Sequence, residues 1–400
     1  MVGNNVAGTN VAKALRDADA ESEITIYTEE ATPYYARPRL IDLIAGAVKE
    51  DEMLFFPHEW YEKNHIQLHL GSKVERIDPG SKTIHVNGAS VGYDRLVLAN
   101  GASAFLPSVK GLPKEDVFTL RTLDDAKRIM ASARRARDVV IIGGGLLGLE
   151  TARALTTGFK GVRITVLEYA EHLLMRQLDH EGAAILQRWV ESSGTKVLVK
   201  AETDEVLGGE KVTGVRLKDG RTVPADMVVV SAGARSNLGL AREAGLTVNR
   251  GVVVDGSLRT SDPDIFAIGD VAEFEGKTWG IIPPALDQAR VAAKKILGQD
   301  TPDYRGTVPS NTLKVMGLDL TSIGTVRSEH ETAEKTFEEV RATSPDGSVY
   351  RKFVLKDGKM IGAILLGTKK DVNKVSKIIK EGSPVDAFRE RLSDPGFSFP

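Results

Sequence analysis

The 400-residue sequence predicts an α/β chain: two interleaved doubly wound units followed by a small α+β domain. Three observations carry this. A strand, a glycine turn, a helix and a second strand occur in that order near residue 143, and the same unit recurs in worn form, from the glycine turn onward, near residue 3. Two apolar runs, 96–98 and 227–230, end at Gly101 and Gly233, where a chain would pass from one such unit to the other. After a polar stretch with two prolines and a glycine at 299–309, the pattern changes to antiparallel hairpins.

In chain order, Gly3-x-Asn5-x-x-Gly8 opens a helical pattern through Val6 and Ala7, and the strand 24–28 ends at Glu29 and Glu30. Only Met1 and Val2 precede Gly3, whereas a first strand needs about five residues. The expectation is a lost first strand, or a start that is not the native one, and a weakened phosphate loop. The run Leu96, Val97, Leu98 leads to Ala99, Asn100 and Gly101. Val139 to Ile142 is β-branched and apolar, as a buried parallel strand requires. Gly143-x-Gly145-x-x-Gly148 follows, then a helix from Leu146 and Leu147 through Glu150, then a strand 162–167 ending at Glu168. Gly8 to Glu29 spans 21 residues and Gly148 to Glu168 spans 20, so the second copy repeats the first. These are two Rossmann-like dinucleotide-binding domains. The predicted boundaries are 1–105 with 225–300 for one, 106–224 for the other, and 301–400 for the third domain. In that last part, strands are expected at 322–326, 350–355 and 360–366, with a turn at Asp357-Gly358 and a helix over 370–380.

The glycines have distinct duties. The first makes the tight turn, the second admits the pyrophosphate, and the third lets helix and strand pack closely. The helix start then offers free N–H groups to phosphate. Glu168 would accept the ribose hydroxyls and repel a 2′-phosphate, so NADH is favoured over NADPH. A strand reaching Gly269 and Asp270 sets a carboxylate at a strand end, where nucleotides bind in such sheets.

Composition excludes several classes. Lys plus Arg number 53 against 55 Asp plus Glu, a balance that argues against a dedicated nucleic-acid binder. Cysteine is absent, which removes disulfides, thiolate metal sites and thiol nucleophiles. No run approaches the ~20 apolar residues of a membrane helix, and no signal pattern opens the chain, so cytoplasmic location is the expectation. No metal site is expected: His65 and His69 look like strand positions without a third ligand. The Arg134, Arg135, Arg137 run reads as a solvated helix end, and Trp60-Tyr61 as core or interface.

Together these motifs resemble the FAD- and NAD-dependent pyridine-nucleotide oxidoreductases of the glutathione-reductase fold, and within them the NADH:rubredoxin reductase and NADH oxidase branch. The segments 33–40, 93–101, 260–270, 283–289 and 313–315 add to the glycine motif and Glu150. The resemblance implies that Glu29 holds the FAD ribose and that Val74 meets the adenine through its backbone. Arg37 and Pro38 would lie along the flavin, and Asp270 would bind the ribityl chain. Ile282 and the helix start at Pro284 would face the pyrimidine edge, with Lys314 adding positive charge. Glu150 would sit between flavin and nicotinamide and orient the carboxamide. Glu150, Arg37 and Lys314 are thus the candidate catalytic residues. Asn100 stands where the family usually has Thr, and Arg235-Ser236-Asn237 where it has Arg-Pro-Asn.

The activity implied is hydride transfer from NADH to FAD. Electrons then pass to a small iron protein of rubredoxin or ferredoxin type, since no thiol exists to receive them. Basic residues such as Lys314 and Arg327 would meet an acidic partner. The alternatives are an NADH oxidase reducing oxygen, the reductase component of a dioxygenase or nitrite reductase chain, and an NAD-binding protein that has lost FAD. A homodimer is compatible with the sequence; a nucleic acid or membrane partner is not expected.

Overall fold

Strands form where β-branched and apolar residues run together, and the pairing of those strands divides the chain into two units. The computed structural model describes residues 1–326 and 337–400; Arg327 lies outside them. Met1–Arg39, Val48–Phe105 and Ala234–Thr307 make the first unit, and Leu40–Ala47, Leu106–Gly233 and Val308–Pro400 the second.

In the first unit the strands Ile66–His69, Ile24–Tyr27, Leu96–Leu98 and Ile265–Ala267 run parallel. Val2 bridges Tyr27 on one side and Leu98 on the other. Its N–H donates to Val97 O at 2.9 Å, and its carbonyl accepts from Ala99 N at 2.8 Å. Val2 thus makes isolated bridges in the position between the two strands that a first strand would occupy, without forming a strand of its own. His65 is not a strand residue; it precedes the strand with φ 50°. The helices Val6–Ala18 and Ile282–Ile296 pack through small buried residues, Ala7, Val11 and Ala12 from one, Ala285, Ala289 and Ala292 from the other. Ile26, Leu96, Leu98 and Phe266 are the centre of the core.

In the second unit a parallel sheet has the order Lys196–Leu198, Arg163–Leu167, Asp138–Ile142, Met227–Val230, Val117–Thr119. Sequence boundaries had put Met227–Val230 in the first nucleotide domain. All four residues are buried, which requires neighbours on both edges, and the strand finds them in Val139–Ile142 and Val117–Thr119. The helices Leu123–Ala133, Leu146–Gly158 and His180–Ser192 belong to the same unit. A five-stranded antiparallel sheet follows, ordered Ser310–Val315, Leu318–Gly324, Lys359–Leu366, Tyr350–Lys356, Glu338–Thr343. Its two edge strands escaped the sequence reading, because Ser310–Val315 and Glu338–Thr343 are mostly polar. The helix Val372–Glu381 lays Val375 and Ile379 into the core. Asp386–Ser393 is a 3-10 segment, after which Phe397 and Phe399 are buried.

A buried ionic group ties this sheet to the helix His180–Ser192. Asp179 caps that helix and accepts the Tyr350 hydroxyl at 2.7 Å. Lys352, only 3% exposed, pairs with Asp179 at 3.2 Å and with Glu339 at 2.8 Å. Burial pushes the Asp179 carboxyl up, but the hydrogen bonds from Tyr350 and Gly182 and the Lys352 cation together hold it below its ordinary range. Among the described residues no helix is long and apolar enough to cross a membrane.

Candidate functional site: two glycine cradles

The clearest site lies where Asp138–Ile142 turns into Leu146–Gly158. Gly143 has φ 118°, and a Cβ there would lie 2.3 Å from Ser231 O. A Cβ on Gly148 would lie 2.0 Å from Gly143 O, whereas one on Gly145 would meet nothing within 4 Å. Turn and helix are thus pressed together while the space above Gly145 stays open. No side chain caps the helix. Its first N–H groups and the open space fit a pyrophosphate. Glu168 is buried at the end of the neighbouring strand, and each of its oxygens accepts one backbone bond, from Gly144 N at 2.7 Å and from Ala170 N at 2.8 Å. Each retains acceptor capacity for a ribose hydroxyl.

The loop at Gly3 repeats this geometry inside the first unit. Gly3 has φ 110°; its Cβ would lie 2.3 Å from Ala99 O, and that of Gly8 2.0 Å from Gly3 O. Gly3 N donates to Tyr27 O as Gly143 N donates to Leu167 O. That register places Thr28, buried, in the slot that Glu168 fills in the second unit. Glu29 comes one residue later and is exposed, so the spacing of acids does not mark the same slot in the two copies. Glu30 accepts from the Tyr35 hydroxyl and pairs with Arg37 at 2.5 Å, which sets the guanidinium beside Pro38 in the turn Arg37–Arg39. The second glycine position differs: Asn5 caps the helix, its Oδ1 accepting from Ala7 N at 3.0 Å and Gly8 N at 3.4 Å.

Gly269 follows Ile265–Ala267 with φ 75°, and a Cβ there would lie 2.9 Å from Ala7 Cβ. This sets Asp270 beside the start of the helix Val6–Ala18. Gln288, wholly buried on Ile282–Ile296, holds the turn by accepting from Gly269 N at 2.7 Å. Sequence reading missed Gln288 as a support, though its segment carried the resemblance. The helix begins at Ile282, half exposed, with Pro284 buried in its first turn and no side-chain cap. Asn100 and Asn237 exchange amide-to-carbonyl bonds at 2.9 and 2.7 Å. Asn237 N donates to Gly101 O, and Ala102–Ala104 pairs antiparallel with Ala234–Ser236. The substitution at Asn100 is thereby matched by its partner. Val74 is buried at the start of Val74–Asp78.

In the second unit Glu150 lies in the second turn of Leu146–Gly158. Burial raises its carboxyl from the ordinary value of 4.5 to about 7; Asp42 adds to the rise and Arg153 opposes it. Asp42 had no sequence signal, being brought there by the short helix Leu40–Ile44 packing on Leu146–Gly158. Lys314 is exposed on Ser310–Val315, and Gly233, with φ 95°, follows Met227–Val230. Chemically, an uncapped helix start such as that of Leu146–Gly158 can accept an anion, and burial moves the Glu150 carboxyl toward a change of charge near neutrality.

Comparison with known proteins agrees. Residues 1–295 match the family model described as pyridine nucleotide-disulphide oxidoreductase, and residues 309–383 that of the rubredoxin NAD+ reductase C-terminal domain. An NADH-rubredoxin oxidoreductase of Clostridium acetobutylicum is 31% identical over 399 residues, 98% of each chain. A nitrite reductase [NAD(P)H] of Bacillus subtilis is 35% identical over 388 residues, 96% of this chain and 47% of that protein. The chain spans about half the length of several curated relatives of this kind. The crystal structure of a covalent putidaredoxin reductase-putidaredoxin complex matches with a TM-score of 0.88 and 26% identity, over 98% of this chain and 95% of that one. With matched geometry at both glycine loops and a family match over residues 1–295, the chain belongs to the pyridine nucleotide-disulphide oxidoreductase family.

Proposed function

We propose that this chain is an FAD-dependent NADH oxidoreductase that delivers electrons to a small iron protein of rubredoxin or ferredoxin type. The observation that carries the reading is the pair of geometrically matched dinucleotide cradles in a chain with no cysteine. The first unit holds FAD and the second holds NADH. Bound FAD supplies the redox step, accepting hydride from NADH and passing electrons onward. The protein's own residues bind and orient. Amides at the start of Leu146–Gly158 take the NADH pyrophosphate, and Glu168 takes the ribose hydroxyls and disfavours a 2′-phosphate. Glu150 orients the nicotinamide carboxamide, Asp270 the ribityl chain, and Arg37 the isoalloxazine side. Ile282 and Pro284 direct a helix start toward developing negative charge, and Lys314 adds a cation. With no thiol in the chain, a bound flavin would itself be the electron donor to the acceptor. The matched C-terminal domain and the rubredoxin and putidaredoxin partners of the related proteins support the acceptor class. The cytoplasm, with its NADH pool, is where we place the reaction.

The 35% identity to one half of a Bacillus nitrite reductase supports a second reading, in which the chain feeds a longer electron chain. One experiment addresses both. The purified protein is titrated with NADH under anaerobic conditions, and rubredoxin or ferredoxin is then added. Bleaching of flavin bands followed by reduction of the iron protein is expected. Bleaching with no transfer to either iron protein would leave the second reading standing. A colourless protein that takes up no FAD would end both.

A further inference from the structure

Besides the slot held by Thr28 in one loop and Glu168 in the other, the two cradles differ at Asn5 and Gly145, and that difference points to a resident competitor for the flavin phosphates. Their steric clearances agree at Gly3 with Gly143 and at Gly8 with Gly148. Asn5 and Gly145 share extended backbone, with φ −141° and ψ −171° for one and φ −78° and ψ 179° for the other. At Gly145 the space is open and the helix start is uncapped. At Asn5 a side chain folds onto the helix start. Its Oδ1 takes the Ala7 and Gly8 N–H groups, and its Nδ2 donates to Ala99 O at 2.5 Å. Those two N–H groups are among the few a phosphate at this helix end could use. Two buried polar atoms on the flanking segments, Asn4 Nδ2 and Asn100 Oδ1, have no protein partner, the condition of a site that completes its bonding with a polar ligand.

We infer that the Asn5 side chain is a latch on the FAD pyrophosphate cradle: it satisfies the helix start in the flavin-free protein and must swing away for FAD to bind. This rests on the reading of the first unit as the FAD half and goes beyond it. The latch works by exchange. The flavin-free protein keeps a capped helix, where Asn is among the best caps. FAD binding then replaces neutral side-chain bonds with charge-assisted ones to phosphate, less the bonds given up. The latch therefore opposes affinity and supports the flavin-free fold, and the two effects of a substitution have opposite signs. A residue that merely holds the fold together would move both the same way.

The test uses the full chain with flavin removed, titrated with FAD by fluorescence, and melted with and without FAD. For Asn5→Gly the FAD dissociation constant is expected to fall about tenfold, while the flavin-free melting temperature falls by about 2 °C. Asn5→Ala removes the latch but keeps the Cβ, and it too should tighten FAD. Asn5→Asp keeps the cap and sets a charge against phosphate. Its flavin-free melting temperature should hold or rise, and its affinity should fall at least about tenfold. Equal or weaker FAD binding by both Asn5→Gly and Asn5→Ala overturns the latch. Tightening by Asn5→Gly with wild-type affinity in Asn5→Ala assigns the effect to steric bulk and overturns it as well. If neither wild type nor any variant binds FAD, the FAD reading of the first unit falls, and the latch with it.

Discussion

Replacing Glu150 by Gln should raise the stability of the second unit at neutral and alkaline pH and flatten its pH dependence. The carboxyl ionises near 4.5 in the unfolded chain and near 7 in the folded one. Below pH 4.5 both states carry the proton, and the group contributes nothing. Between about 4.5 and 7 the unfolded state has released it and the folded state has not, so stability falls as pH rises. Above about 7 both are ionised and the full penalty stands. Two and a half pKa units correspond to about 3 kcal/mol. This is an upper figure, because partial exposure lets solvent screen the charge. The unit has about 230 residues, for which the unfolding entropy is roughly 0.5 kcal/mol per kelvin. The wild-type melting temperature should thus drop about 6 °C more than that of Glu150→Gln between pH 4.5 and 8. Calorimetry of both proteins across that range measures the difference. Parallel curves would show that Glu150 does not titrate near neutrality, and its assignment as a poised carboxyl would be withdrawn.

Further outcomes follow from the same geometry. Glu168→Ser combined with Tyr169→Arg should shift the ratio of kcat/KM for NADH and NADPH toward NADPH, at some loss of loop stability from the two freed N–H groups; an unchanged ratio would remove Glu168 from the ribose site. Gly148→Ala places a Cβ 2.0 Å from a carbonyl oxygen and should abolish NADH binding or folding of the unit, whereas Gly145→Ala should fold normally and raise the KM for NADH. Comparable melting temperatures for the two variants would refute that distinction. Lys352→Met removes the buried one of the two cations that Asp179 and Glu339 share, leaving Arg341, and it should cost about 2–3 kcal/mol; denaturant unfolding of the second unit reads this, and a loss under 1 kcal/mol would contradict it.

The local motifs were legible because their physics is local. Strand, glycine turn and helix follow from β-branching, from φ above 0° at Gly143 and from the close approach at Gly148. What was illegible depends on partners distant in sequence. Met227–Val230 reads as a buried strand, but only pairing with Val139–Ile142, about ninety residues earlier, assigns its sheet. The bridges of Val2 to Leu98 and Tyr27 likewise depend on segments about 96 and 25 residues away. Thr28 carries no acid to mark its slot, so the acids at 29 and 30 drew the eye. Gln288 and Asp42 act through contacts that leave no periodic trace. For the candidate site, the second loop and Glu168 could be named from sequence, while the occupied state of the first loop required the side-chain positions of Asn5.

The clasp formed by Asn100 and Asn237 has a consequence for how the chain is made. The first unit cannot finish its sheet until Ile265–Ala267 and the helix Ile282–Ile296 have been synthesised. The parallel sheet of the second unit is complete once residue 230 has emerged. At roughly 5–20 residues per second, the delay between the two is on the order of several seconds. During it, residues 1–100 wait with Leu96–Leu98 as an open edge, while the intervening segment acquires its own sheet and shortens the gap to be closed. Closing a loop of about 136 residues between Asn100 and Asn237 is thereby turned into joining two ends already brought closer by a folded insert. Nascent chains arrested with residue 250 just outside the ribosome should accordingly retain NADH before they can retain FAD.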